Sequence, residues 1–209
     1  MNSATDTTKQ DYCINKAAFE GSNLYYATLF EPASERQKII TLHAFYIELS
    51  EVIAECSDPG IARIKFKWWQ EEITRLYDQQ ARHPVTKEFN KNINIETITK
   101  SKLLQIIQCF ENLLFLEQTD NLDQALDYFR NSTGEVWLQN GLQLNITNET
   151  ALGLLREAGA IYHYLSCLQQ PHLYINASRC IIPSCFIEQS TLLDSNFKKT
   201  QTQTEIFLT

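Results

Sequence analysis

The chain has 209 residues, of which 44% are apolar and 21% charged, and a net charge of −7. That is enough chain for one domain with a real core, and the acidic balance argues against a nucleic-acid surface or a basic membrane patch. Six Gly and five Pro are few, which favours long regular elements.

The opening stretch MNSATDTTKQ is polar with no apolar run behind it, so no secretory signal is read. Residues 1–9 are expected to be disordered, and a short helix is predicted over 10–20. "EPASER" breaks the chain at Pro32 and offers Ser34 as a cap for a long helix over 34–56. Ile39, Ile40, Ala44, Ile47 and Leu49 leave that helix little polar face, so it is expected at the centre. "CSDPG" ends it. Asp58 then caps a new helix with Pro59 at its first position, and Ile61, Ile64, Trp68, Ile73, Leu76 and Tyr77 are its expected core stripe. Trp68 and Trp69 cannot both face one side, so one is expected in the core and the other free to anchor a partner.

"RHPV" turns the chain at Pro84, and a polar Asn/Lys stretch, 90–101, leads onward. Further helices are predicted over 97–118, 121–141 and 149–170. The last carries Leu152, Leu155, Ala158, Tyr162, Leu165 and Leu168 at helical spacing. A short helix near 184–194 and a loose tail over 196–209 complete the reading. The expectation is one all-α domain over 10–195. No run of about 18 apolar residues exists to span a membrane. Cys13, Cys56, Cys109, Cys167, Cys180 and Cys185 include no C-x-x-C and read as small buried hydrophobes in a reducing compartment. The four Asn-x-Ser/Thr triplets, at Asn131, Asn145, Asn148 and Asn176, read as chance.

Three stretches together carry a resemblance: "GSNLYYATLFEPASERQKIITLHAF" (21–45), "KFKWWQEEITRLYDQQARHPV" (65–85) and "GAIYHYLSCLQQPHLYINASRCIIP" (159–183). In order and separation they resemble the squalene/phytoene synthase family, over about residues 12–190. The resemblance implies an isoprenoid-synthase-like bundle of helices around a deep central cavity. It also implies an activity, the head-to-head joining of prenyl diphosphates. Family enzymes hold Mg²⁺ between two Asp-rich helices, because a departing diphosphate in an apolar cavity must be neutralised. Members usually run well past about 250 residues, so this chain is read as C-terminally shortened, with a cavity open on one side.

Position by position, the first Asp-Asp-x-x-Asp motif falls on Ser50, Glu51 and Ala54, and a basic diphosphate contact falls on Ile47. In the second motif, the family's Asn falls on Ser166, its aspartates on Gln170 and Tyr174, and an Arg on Gln169. A diphosphate-contacting Ser falls on Asn23 and a cavity Tyr on Arg130. The framework residues Tyr26, Pro32, Arg36, Ala44, Phe45, Gly134, Gly159, Arg179 and Pro183 remain. The cavity and ligand-binding candidates are therefore Asn23, Tyr26, Ser50, Ala54, Arg130, Ser166, Gln170, Tyr174 and Arg179. No catalytic residue and no metal ligand is assigned.

"HAFYIELSEVIAE" (43–55) places Glu48, Glu51 and Glu55 on a helix that is otherwise apolar. Glu51 and Glu55, four apart, are an alternative metal pair; otherwise these carboxylates pair with Arg36, Lys65 or Lys67 or lie on a solvated edge. Arg130 and Arg179 could take an anion or pair with helix carboxylates. His83 is expected to serve the turn before Pro84, His163 to be a satisfied core histidine, and Gly134 and Gly159 to be close packing sites.

The aspartate-free "HAFYIEL" is closer to a divergent branch of the family that includes a mitochondrial assembly factor for respiratory complex I. The branch is regarded as having lost synthase activity. The resemblance thus implies a cofactor-free pseudoenzyme that binds a partner protein or a prenyl or other lipid. Its expected location is the cytoplasm, with contact at the periphery of the inner membrane. The rival is an active prenyltransferase using Mg²⁺ in squalene, hopanoid or carotenoid biosynthesis.

Overall fold

The structure is a computed structural model and describes residues 7–170 and 181–184. The protein is 75% helical, with no strand among the described residues. The expected helix near 184–194 and the expected tail lie outside them, apart from Ser184. Helix α1 is Thr7–Ala17, α2 Asn23–Thr28, α3 Ala33–Glu55 and α4 Pro59–Tyr77. They are followed by α5 Pro84–Asn92, α6 Lys100–Asn112, α7 Leu122–Phe129, α8 Glu135–Gln143 and α9 Glu149–Gln169.

Local chemistry sets most of the ends. Asp58 caps α4 by accepting from the Gly60 and Ile61 amides, with Pro59 at the first helical position. Ser34 does not cap α3. Pro32 occupies that place without a side-chain hydrogen bond, and the corner is closed instead by Arg36, which donates to the Leu29 and Glu31 carbonyls at 2.9 and 3.2 Å. The predicted link after Pro84 is in part a helix, α5. His83 caps it, its Nδ1 accepting from the Val85 amide. The helix expected over 121–141 is three pieces: a π-helical turn, Arg130–Gly134, bends the chain between α7 and α8.

Helix α3 runs through the middle, packed by α1, α4, α5, α6 and α8. Phe45 meets Trp69 and Phe89 edge-on, each with ring centroids 5.6 Å apart. On the other side α7, the π turn and α8 pack along α9, which joins α3 where His163 meets Tyr46, with ring centroids 5.4 Å apart. The close approach of α9 needs two glycines. A Cβ on Gly134 would stand 2.5 Å from the Arg156 carbonyl, and one on Gly159 2.6 Å from the Trp137 ring.

Two helices turn a different face inward from the one expected. On α4 the buried residues are Ala62, Phe66, Trp69, Ile73 and Leu76, while Ile61, Ile64 and Trp68 are exposed. On α9 the buried residues are Gly159, Ala160, His163, Tyr164 and Cys167, while Leu154, Ile161, Tyr162 and Leu165 are exposed. Each helix has two apolar faces, and packing chose the one carrying small or aromatic residues that lets the neighbour come close.

Candidate functional site

Helix α3 sorts its polar residues by angle, about 100° per residue. Ser50 and Ala54 share one side and are half-buried. Ser50 donates its hydroxyl to the Tyr46 carbonyl at 2.9 Å. Earlier on the same side, His43 packs against Trp137, which in turn meets Tyr162 of α9. Burial holds His43 neutral, with a pKa lowered to about 4. One turn on along α9 from Tyr162, Ser166 donates to its carbonyl at 2.8 Å, and Gln170 ends the helix exposed. Thus the seam between α3, α8 and α9, where the resemblance puts a cavity, is packed with rings at His43, Tyr46 and Trp137. Asn23 and Tyr26 lie together on α2, both exposed. Tyr174 and Arg179 lie outside the described residues.

Glu48, Glu51 and Glu55 point to a different side of α3, toward α1, α4 and α5. Tyr12 donates to Glu48 at 2.5 Å, and Lys16 bridges Glu48, at 3.3 Å, and Glu51. The cation is therefore Lys16, not Arg36, Lys65 or Lys67. Burial and the hydrogen bond to Glu48 raise the Tyr12 pKa, so the phenol stays a donor. The Glu55 side chain makes no hydrogen bond or ion pair among the described residues.

These carboxylates form one wall of a cleft of about 330 Å³. Lys65, Trp68, Trp69 and His83 form the other. The His83 ring stands edge-on to Tyr12, Trp68 and Trp69, at 5.6, 5.8 and 4.8 Å between centroids. Its Nδ1 is an acceptor, which leaves the proton on Nε2. Burial lowers its pKa. Glu72 fixes the corner from which His83 projects. It is fully buried and accepts from the Arg82 and His83 amides, the Thr86 hydroxyl and Arg75 Nε. Burial alone would raise the Glu72 pKa, but the hydrogen bonds from Thr86, His83, Arg75 and Arg82 outweigh it and hold it at about 2.

Sequence reasoning did not assemble this cleft, because its walls come from the end of α3, from α4 and from His83 before α5, and the α1 residues that hold Glu48 and Glu51 lie more than thirty residues away in the chain. Its legible signals were Glu48, Glu51 and Glu55 on an otherwise apolar helix and the Trp68–Trp69 pair: Trp69 is 3% exposed and Trp68 41%. Arg130 is held by Asp123, Asp127 and Glu157 at 2.8, 2.6 and 2.8 Å. The hydrogen bonds that Arg130 donates to Asp127, Asp123 and Glu157 raise its pKa, and an anion would have to displace three carboxylates to reach it. No group of three or more His, Cys, Asp or Glu side chains placed to hold a metal ion occurs among the described residues.

An all-α bundle with this helix order defines the class. The family model for squalene/phytoene synthase matches residues 19–194, and the chain belongs to that family. Among characterised proteins it is similar to "NADH dehydrogenase (ubiquinone) complex I, assembly factor 6". The Bos taurus protein is 24% identical over 176 residues, 82% of this chain and 52% of that protein. The Homo sapiens protein is 27% identical over 125 residues, 58% of this chain and 37% of that protein. The Mus musculus protein is 21% identical over 173 residues, with coverage of 82% and 52%. The chain spans at most about half the length of these relatives. No solved structure matches it. No helix among the described residues is long and apolar enough to cross a membrane.

Proposed function

We propose that this chain is a non-catalytic member of the squalene/phytoene synthase family that acts by binding a partner protein in the assembly of a respiratory complex. The observation that carries the reading is the chemistry at positions 50, 54 and 170, where the family's aspartates would fall: Ser, Ala and Gln. Hydroxyl and amide oxygens hold Mg²⁺ poorly against its own tightly bound water, and alanine offers no ligand. Those residues do not fit a cluster of Mg²⁺ ions, and without cations a diphosphate cannot leave in an apolar seam. Of the two carboxylates next to those positions, Glu51 is engaged by Lys16, and Glu55 by itself is a single ligand.

Similarity to complex I assembly factor 6 supports the assembly role, and the exposed apolar faces of α4 and α9 support partner binding. A lipid is the other occupant such faces could take. We place the protein in the cytoplasm, with contact at the periphery of the inner membrane.

Two measurements test the proposal. Incubation with farnesyl or geranylgeranyl diphosphate and Mg²⁺ is expected to release no diphosphate. Depletion of the protein from its own cells is expected to lower the amount of assembled respiratory complex on native gels. Release of diphosphate that is lost in Glu51→Gln and Glu55→Gln overturns the reading in favour of an active prenyltransferase.

A further inference from the structure

Helix α9 carries a second pattern on the side that the core does not use. Ala151, Leu154, Ala158, Ile161, Leu165 and Leu168 recur at alternating intervals of three and four residues. That is a seven-residue repeat with its first and fourth positions apolar, the seam by which one helix pairs with another, kept for about five turns. The stripe is uncovered. Leu154, Ile161 and Leu165 are 66%, 45% and 52% exposed, and Ala158 is exposed between them. Ala151 and Leu168, at its ends, are half-buried.

Charge and shape together select what covers it. On the two flanks of the stripe, from 150 to 169, the one charged side chain is Glu157, and Arg130 already holds it at 2.8 Å. No charged partner is called for, and neither flank offers a Lys or Arg to meet a lipid headgroup. The chain as a whole carries −7, so two copies repel except where neutral face meets neutral face. Shape then fixes the direction. In an antiparallel pair centred between Ala158 and Ile161, Ala158 faces Ile161 of the second copy. Likewise Ala151 faces Leu168, and Leu154 faces Leu165. Each alanine meets a large residue, so the stripe fills the gaps of its own copy. A parallel pair would set alanine on alanine at 151 and 158 and leave voids.

We propose that the chain self-associates through this stripe, α9 pairing antiparallel with α9 of a second copy about a two-fold axis. The inference does not rest on the function proposed above, and it leaves the α4 face for another partner. A single helix seam lies at the small end of specific interfaces, so the dimer dissociates in the micromolar range.

Light scattering of the whole chain, from about 1 to about 100 µM, is expected to show monomer passing to dimer. Ala158→Lys alone and Ile161→Glu alone are each expected to keep the chain monomeric throughout. The double variant is expected to dimerise again, because each introduced lysine then meets an introduced glutamate of the second copy. A parallel pair would set lysine on lysine and show no rescue. Both positions are exposed, so helix content by circular dichroism is expected to stay unchanged. Leu165→Ser decides the matter should a charged variant unfold. It is expected to weaken the dimer about a hundredfold, since two-fold symmetry counts each tenfold loss twice.

A wild-type chain that stays monomeric to about 100 µM overturns the proposal. A dimer that all three single variants leave intact overturns it too, since the contact then lies elsewhere. Loss of the dimer with no rescue in the double variant overturns the antiparallel pairing. Monomer that binds phosphatidylcholine vesicles, and no longer does so in Ile161→Glu, would make a lipid the occupant in place of a second copy.

Discussion

Glu72 shows how a single side chain can hold a corner. A carboxylate with no exposed surface must be paired, and this one takes four donors from α4, α5 and the turn between them. Glu72→Gln keeps the shape but removes the charge that holds Arg75 and half of the acceptor oxygens. It is expected to destabilise the fold by about 3 kcal/mol in urea unfolding. The same residue sets an acid limit. Its folded pKa of about 2 lies below its ordinary 4.5, so its contribution is complete above pH 4.5 and is lost as pH falls toward 2.

The buried histidines act higher on the scale. His43 and His163 are held neutral by burial, with pKa lowered to about 4 and about 3 from 6.5. Below pH 6.5 the unfolded chain binds protons that the folded one refuses. Their contribution is therefore whole above 6.5 and falls as pH drops from there toward 3. His43→Phe is expected to make the decline of stability between pH 6.5 and 4.5 shallower, read from urea midpoints across that range.

At the scale of elements, α1 is latched rather than merely packed. Tyr12 and Lys16 reach Glu48 and Glu51, the carboxylates that made the sequence of α3 look like a metal-binding face. Glu48→Ala leaves a half-buried phenol and an ammonium short of an acceptor. It is expected to cost about 1–3 kcal/mol and to raise amide exchange in α1 above that in α3. The α9 seam depends on the absence of two methyl groups. Gly134→Ala drives a Cβ into the Arg156 backbone carbonyl, which no rotamer change relieves. A loss of about 2–3 kcal/mol is expected, seen as a lowered melting temperature with α7 and α9 parted. Gly134 and Gly159 were both legible as packing sites, since an isolated glycine inside a helix costs stability unless something needs the space.

For the whole molecule, the decisive measurement is melting with Mg²⁺, with a prenyl diphosphate analogue, with both, and with EDTA. An intact metal–diphosphate site at about 100-fold saturation adds roughly 2.7 kcal/mol, or several degrees in a chain of this size. Only a shift that needs both ligands and vanishes with EDTA would mark such a site, and none is expected. A weak response to the diphosphate alone would have to come from an arginine. Arg130 is covered by three carboxylates and is expected to give almost none, so any such response, weakened by added salt, falls to Arg179.

Neither α2 nor α5 was legible in the sequence, but most of the long helices, the cap at Asp58, the central place of α3 and the family were determined by the sequence itself. These rest on local rules: spacing, caps and prolines act within a turn or two of chain. The Trp pair was legible as one core and one exposed residue, because adjacent positions on a helix face different ways. Only the tertiary structure decided which face of α4 and α9 is inside. Both helices are apolar on two sides, so periodicity offered two solutions, and the buried one was chosen by the close approach of neighbouring helices. The fate of Glu48 and Glu51 was settled the same way. A carboxylate on a helix is defined by its partner, and Lys16 comes from an element more than thirty residues away, brought there only when α1 packs on α3.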